Sequence, residues 1–259
     1  MTHQAASDLL WDHWREGRLL AALPPDLAPA DRAAAYRIQA LLEPRSAEPL
    51  YGWKIAATSL AGQRHIGADG PLAGRLLAER VLPADAPVPL AGNQMRVAEP
   101  EVAFRMGADL PPRAEPYAVA EVMAAVDTAH PAIEFPDSRL EAFERAGEAA
   151  LIADNACAHL FVLGLPAPEG WRALDLAAMP TRIGAEGRAP YEGRGGNALD
   201  DPRLALTWLA NALSGQGLSL RRGEVVTTGT TTVPLPVEAG DVVRAELVGL
   251  GELTVRVGV

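Results

Sequence analysis

The chain of 259 residues has one cysteine, Cys157. No intrachain disulfide and no cysteine-rich zinc site can be built from it, and this usage fits a reducing compartment. Basic charge is also in deficit. With 23 Lys and Arg against 33 Asp and Glu, the net charge is −10, so the chain offers no electrostatic footprint for a polyanion, and no nucleic-acid partner is expected. Long apolar runs are missing too. Nothing approaches the ~18 apolar residues that span a bilayer, and even AVAEVMAAV (118–126) contains Glu121. The opening MTHQAASDLLWDHWREGRLL lacks a basic segment followed by an apolar core, so no secretion signal is read there. The expectation is a cytoplasmic protein with no membrane association. Strict strand–helix–strand alternation and a fixed-period repeat are absent as well, which argues against doubly wound and (β/α)₈ architectures.

What is present is ordinary globular composition, with 49% hydrophobic and 22% charged residues, enough for a sizeable buried core. The first 45 residues read as helices: Leu9, Leu10, Trp14 and Leu19 recur at roughly helical intervals, and PADRAAAYRIQALLE follows a proline and an aspartate suited to a helix start. From YGWKIAATS onward, short β-prone segments alternate with turn clusters such as GADGP and PADAPVPLAGN. Helices are expected to interrupt them at PYAVAEVMAAV and at DDPRLALTWLANALSGQG, the latter with Asp201 as N-cap, Pro202 at N1 and Gly215 past its C-terminus. The last 40 residues hold three β-like runs, EVVTTG, DVVRAELVG and ELTVRVGV, read as a meander or roll. The predicted class is α+β, with a small helical/β N-terminal part (1–80) and a β-rich body (81–259).

The stretch VAEPEVAF (97–104) places two glutamates in an apolar setting. In a strand, Glu99 and Glu101 project to one face about 7 Å apart, and like charges there repel. Pro100 cannot donate to a β-ladder, so the segment is expected at an edge or a bulge. A second apolar segment, HPAIEFPDSR (130–139), carries Glu134. Three buried carboxylates are costly unless a divalent cation neutralises them, and an all-oxygen donor set favours hard ions, Mg²⁺ first and Mn²⁺ next. The alternatives are a solvated Glu-x-Glu face and a Glu134 paired with Arg139 or Arg105.

Eight motifs in order decide between these readings: AYRIQ (35–39), GWKIAATS (52–59), IGADGPLAGRL (66–76), EPEVAF (99–104), AIEFPDSR (132–139), DNACAHLFVLG (154–164), LTWLANAL (206–213), and TTG followed by GDVVRAEL near the end. With them the chain resembles, over nearly its whole length, the hydratase/decarboxylase branch of the fumarylacetoacetate hydrolase superfamily. The resemblance implies a mixed-strand β-roll and Mg²⁺ or Mn²⁺ held by Glu99, Glu101 and Glu134. It also implies a small 2-oxo or 2-hydroxydienoic acid as substrate, with Lys54 and Asp69 beside it. Homo-oligomers, and association with another enzyme of the pathway, are implied as well. The chain departs from the family pattern at Ala56 and Ala57, at Leu72 and Ala73 after Pro71, at Cys157, and at GTTTVPLPV.

The expected catalytic residues are Lys54, whose pKa burial beside a cation would lower, and Asp69 as base. Thr58, Ser59, Thr228, Gly229 and Thr230 are expected to bind the substrate carboxylate. Each has a plainer reading: Lys54 as a strand lysine reaching solvent, Asp69 as a turn residue, the threonines as strand material. Cys157 is read as a packed thiol. The activity implied is hydration of a 2-hydroxy-2,4-dienoate. Decarboxylation of a 4-oxalocrotonate-type acid, acylpyruvate-type carbon–carbon hydrolysis, and a catalytically silent scaffold are the alternatives.

Overall fold

The computed structural model describes residues 2–258. Helices α1 (Thr2–Glu16) and α2 (Arg32–Ala40) open the chain. Asp31 caps α2, its carboxylate accepting the Ala34 N–H at 2.7 Å. Strand β1 (Gly52–Ala56), helix α3 (Leu60–Ile66) and strands β2 (Leu72–Leu76) and β3 (Val81–Leu82) follow. The middle of the chain supplies β4 (Val97–Met106), α4 (Val119–Ala124), β5 (Val126–Phe135), α5 (Glu148–Ala153) and β6 (Leu160–Leu163). The remainder forms β7 (Pro180–Ala185), β8 (Tyr191–Arg194), α6 (Pro202–Gly215), β9 (Val225–Thr230), β10 (Leu235–Pro236), β11 (Val242–Leu247) and β12 (Gly251–Arg256).

The large sheet runs β2-β1-β9-β4-β5-β6-β3, with β10 also paired to β4; the second runs β12-β11-β7-β8. Within the large sheet only β1–β9 and β3–β6 are parallel. The fold is thus α+β, a mixed-strand β-roll preceded by small helices. Strands β1 and β2, from the expected 1–80 part, lie in the same sheet as β4, β5 and β9 of the body.

Alternation along the strands sorts their side chains. Val102, Phe104 and Val226 pack against Leu206 and Leu209 of α6, while Ile133 and Phe135 meet Ile183, Val243 and Val255 of the second sheet. Leu10, Ile38 and Leu151 pack α1, α2 and α5 with Leu72 of β2. Val102, Phe104, Val226, Ile133 and Phe135 thus share one face of the large sheet. The glutamates point to the other, the face on which Leu72 meets the helices.

Of the two placements expected for Pro100 the bulge holds and the edge does not: β4 lies between β9 and β5. The Pro100 carbonyl accepts the N–H and the hydroxyl of Thr231, at 2.9 and 2.8 Å. The missing N–H therefore faces the β9 side as well, where the register slips between Glu101 and Ala103. The three C-terminal runs form no single meander, because β9 enters the large sheet while β11 and β12 pair in the other. Gly215 lies within the last turn of α6, and the left-handed residue beyond the helix is Gly217 (φ 74°).

Candidate active site

Register alone assembles the site. Lys54 of β1 stands beside Thr227 of β9, Thr227 beside Ala103 of β4, and Glu99 of β4 directly opposite Glu134 of β5. By alternation, Lys54, Thr227, Glu99, Glu101 and Glu134 then share one face. One carboxylate oxygen from each of the three glutamates lies within 4.8 Å of the others. Glu101 and Glu134 are each 1% exposed and Lys54 3%; Glu99 is partly buried.

The three carboxylates are held differently. Oε2 of Glu101 accepts the Gly229 N–H at 2.7 Å and the Thr227 hydroxyl. Gly229 must be glycine: its φ is +101°, and an added Cβ would lie 2.2 Å from Oγ1 of Thr58. Neither oxygen of Glu134 has a hydrogen bond from the described residues. Nζ of Lys54 lies 3.1 Å from its Oε1, a charge contact without hydrogen-bond alignment, and donates instead to the Ala156 carbonyl at 3.0 Å.

That carbonyl is aimed by an unusual turn in which Asn155, Ala156 and Cys157 have φ of 58°, 51° and 59°. Three consecutive non-glycine residues in the left-handed region carry strain, so their surroundings must impose it. Asn155 accepts the Arg75 N–H at 2.7 Å and donates to the Arg75 carbonyl at 2.9 Å, clasping β2. On the other flank Asp154 is locked by Arg139 at 2.5 Å and by the Ser138 hydroxyl at 2.6 Å. Gly74 leaves room for both chains, since a Cβ there would lie 2.4 Å from the Asn155 carbonyl oxygen and 3.0 Å from Cγ of Lys54. AIEFPDSR and DNACAHLFVLG are therefore joined by a buried ion pair.

The electrostatics follow from burial. Desolvation first, and the Glu134 charge second, push the Glu99 carboxyl up to about 7. The same causes hold Glu101 well above the usual carboxylate range. Glu134 is raised by burial, with Lys54 partly offsetting it. Burial pulls the Lys54 ammonium down, but the field of Glu134, Glu99 and Glu101 outweighs it and the net shift is upward. With the carboxylates uncompensated, the lysine serves as their counter-ion.

Three carboxylates against one ammonium leave two formal negative charges in a buried space, and Glu134 presents two oxygens without hydrogen bonds. The donor set is oxygen alone. That combination fits a hard divalent cation.

Of the other expected residues, Thr58 is buried against Gly229. Ser59 caps α3, accepting the Gly62 N–H at 3.0 Å. The Thr228 hydroxyl donates to the Val102 carbonyl at 2.9 Å and that of Thr230 to the Thr232 carbonyl at 3.0 Å. Asp69 is exposed in the loop between α3 and β2, where its backbone N–H donates to Glu148 at 2.9 Å. Burial pushes the Cys157 thiol up to about 12, which makes it a poor nucleophile.

The sequence reading set Thr227 aside as strand material, whereas its hydroxyl meets Glu101, and missed the Ala156 carbonyl that holds Lys54. It also passed over a plain signal: Lys54 is the only lysine, against 22 arginines. A chain that uses arginine everywhere else and keeps one buried lysine marks that position for what arginine lacks, a compact ammonium able to exchange its proton.

Comparison with known proteins finds a family and several relatives. A family profile described as fumarylacetoacetate (FAA) hydrolase C-terminal matches residues 56–258. A 2-keto-4-pentenoate hydratase from Burkholderia vietnamiensis is 34% identical over 241 residues, 92% of this chain and 90% of that protein. The TodF product hydratase of Pseudomonas putida is 31% identical over 96% of this chain and 92% of its own length. Among solved structures, 4-oxalocrotonate decarboxylase from Pseudomonas putida G7, complexed with magnesium and adipate, superposes with a TM-score of 0.89 at 25% identity, covering 98% of this chain and 97% of that one.

Proposed function

The chain belongs to the fumarylacetoacetate hydrolase family, and we propose that it is a divalent-metal-dependent hydro-lyase of the 2-keto-4-pentenoate hydratase type. It adds water to a 2-hydroxy-2,4-dienoate to give a 4-hydroxy-2-oxo acid. The observation that carries this reading is the group of three carboxylates, two buried and one partly buried, beside the chain's only lysine. The hydratase relatives support the same assignment.

Glu99, Glu101 and Glu134 are the ligands, for Mg²⁺ first and Mn²⁺ second. When bound, the cation supplies positive charge that stabilises the substrate carboxylate and the negative charge developing on its 2-oxygen. The protein's own residues do the rest. Lys54, anchored on the Ala156 carbonyl, holds a proton at Nζ and delivers it to carbon 5, and its amine takes up the proton that the 2-hydroxyl loses, giving an enone. Water then adds its oxygen at carbon 4 and a proton at carbon 3. Thr227 and the Gly229 N–H fix Glu101, and Thr58, packed on Gly229, bounds the substrate space. Proton delivery falls to Lys54 rather than Asp69 because Lys54 is buried among the ligands and Asp69 lies on an exposed loop.

Decarboxylation is the second reading, favoured by the likeness to 4-oxalocrotonate decarboxylase. The test is incubation of the purified protein and Mg²⁺ with 2-hydroxypenta-2,4-dienoate and, separately, with 4-oxalocrotonate. Loss of dienoate absorbance without CO₂ release is expected. CO₂ release from 4-oxalocrotonate with no hydration of the pentadienoate would overturn the assignment.

A further inference from the structure

A pocket of about 160 Å³ lies apart from the carboxylates, where the end of α1 meets the turn after β2 and the start of β6. Its walls include His13, Trp14, Arg80, Asp137, Arg139 and His159. Trp14 forms the floor between two guanidiniums: Cζ of Arg80 is 4.6 Å and Cζ of Arg139 is 4.7 Å from its ring centroid. The two cations are not equivalent. Arg139 is neutralised by Asp154 and also donates to the Asp137 and Ala158 carbonyls, both at 3.2 Å. Arg80 is half-buried, and its guanidinium has no hydrogen bond or ion pair among the described residues. A partly desolvated cation without a partner is costly.

Two imidazoles add unused polar atoms. The indole N–H of Trp14 donates to Nδ1 of His159 at 2.8 Å. Indole can only donate, so the neutral His159 ring carries its proton on Nε2, and that N–H has no acceptor in the protein. His13 is 7% exposed, lines the same pocket, and its Nδ1 has no hydrogen-bond partner. Burial, with Arg139 and Arg80 adding to it, pushes His159 down to about 3, so this donor stays neutral. One acid shares the walls: Asp137, whose Oδ1 accepts the N–H groups of Gln94 and Met95 at 2.9 and 3.2 Å.

We propose that this pocket binds a small oxyanion, inorganic phosphate or a short hydroxy acid, between the Arg80 guanidinium and the two histidines. The planar fork of Arg80 matches two oxygens of such a ligand, His159 Nε2–H offers a further donor, and Asp137 can accept from a ligand hydroxyl. The site is separate from the metal ligands and does not depend on the proposed hydratase reaction.

The test is calorimetric titration of the chelator-treated full-length protein with phosphate and, in a second arm, with glycolate. The same titrations are run on Arg80→Gln and on Glu134→Ala. Saturable binding of either anion, weakened at least tenfold by Arg80→Gln and unchanged by Glu134→Ala, is expected; the arm that binds identifies the source. No saturable binding in either arm overturns the proposal, as does binding that Glu134→Ala abolishes and Arg80→Gln leaves intact. Should Arg80→Gln lose its native circular dichroism, Arg80→Lys replaces it: the charge stays, the fork goes, and weakened binding is again expected.

Discussion

Glu134 and Lys54 sit on strands separated by two others in the sheet, yet their charged atoms approach to 3.1 Å, and neither Glu134 oxygen receives a hydrogen bond. The pair is thus electrostatically tight and geometrically incomplete, as expected of a ligand waiting for a cation. Replacing each partner separates their roles. Lys54→Met should lower kcat by at least ~100-fold, the scale of positioned proton transfer, while Mn²⁺ affinity holds or rises because a competing positive charge is gone. Glu134→Ala should weaken Mn²⁺ binding by at least ~10-fold, the mirror outcome. Calorimetric metal titrations alongside steady-state kinetics check both.

Metal-free protein should lose stability as pH rises. The Glu99 carboxyl titrates at about 7 in the fold against an ordinary 4.5, so its neutral form is favoured there. Its contribution is complete below pH 4.5 and is lost as pH climbs through 7, an upper bound of about 3 kcal/mol. Urea denaturation of the chelator-treated protein at pH 5 and pH 8 should show this loss, and Glu99→Gln should reduce it, the raised Glu101 and Glu134 carboxyls keeping part of it. At 100 times its Kd, Mg²⁺ should restore about 2.7 kcal/mol at pH 8, roughly a 5–10 °C rise in Tm. A Tm indifferent to Mg²⁺ would mean that the native protein does not bind it.

Gly229→Ala should be among the most damaging single-methyl changes in the chain. The left-handed φ alone costs on the order of 1–3 kcal/mol for a non-glycine residue, and the new Cβ would overlap the Thr58 hydroxyl. Shifting the Gly229 N–H would also remove a hydrogen bond from Glu101. Thr58→Ala in the same chain should recover part of the stability, because it removes the two closest contacts and leaves the 2.9 Å approach to Cβ of residue 58 and the φ cost in place. Urea midpoints of the single and double variants read this directly.

His159 should make the protein acid-sensitive. Its pKa in the fold is about 3 against an ordinary 6.5, so the unfolded chain binds a proton that the native protein refuses. Stability from this residue is present above pH 6.5 and is lost as pH falls toward 3, by about 2 kcal/mol on going from pH 7 to pH 5. His159→Asn keeps an acceptor for the Trp14 N–H and cannot titrate. The variant should show a smaller pH 7 to pH 5 loss in urea denaturation than the parent; equal losses would remove His159 as the cause.

The sequence determined by itself what local chemistry controls. The Asp31 and Asp201 caps, the placement of Pro202 at the start of α6, and the limits of β4 at Val97–Met106 rest on residue type and period within a few positions. Glu99 and Glu101 share a face because a strand repeats every two residues, and Glu134 stood out as a charge in an apolar run. The lone lysine was legible too, as a count. Only the tertiary structure decided which residues meet. The pairing of Glu99 with Glu134, the slip opposite Gly229 that brings Thr227 to Glu101, and the left-handed turn that aims the Ala156 carbonyl at Lys54 arise from register between strands far apart in the chain. The same holds for the sign of the Lys54 shift. Burial and carboxylate charge pull it in opposite directions, and their balance is set by distances that no sequence spacing contains.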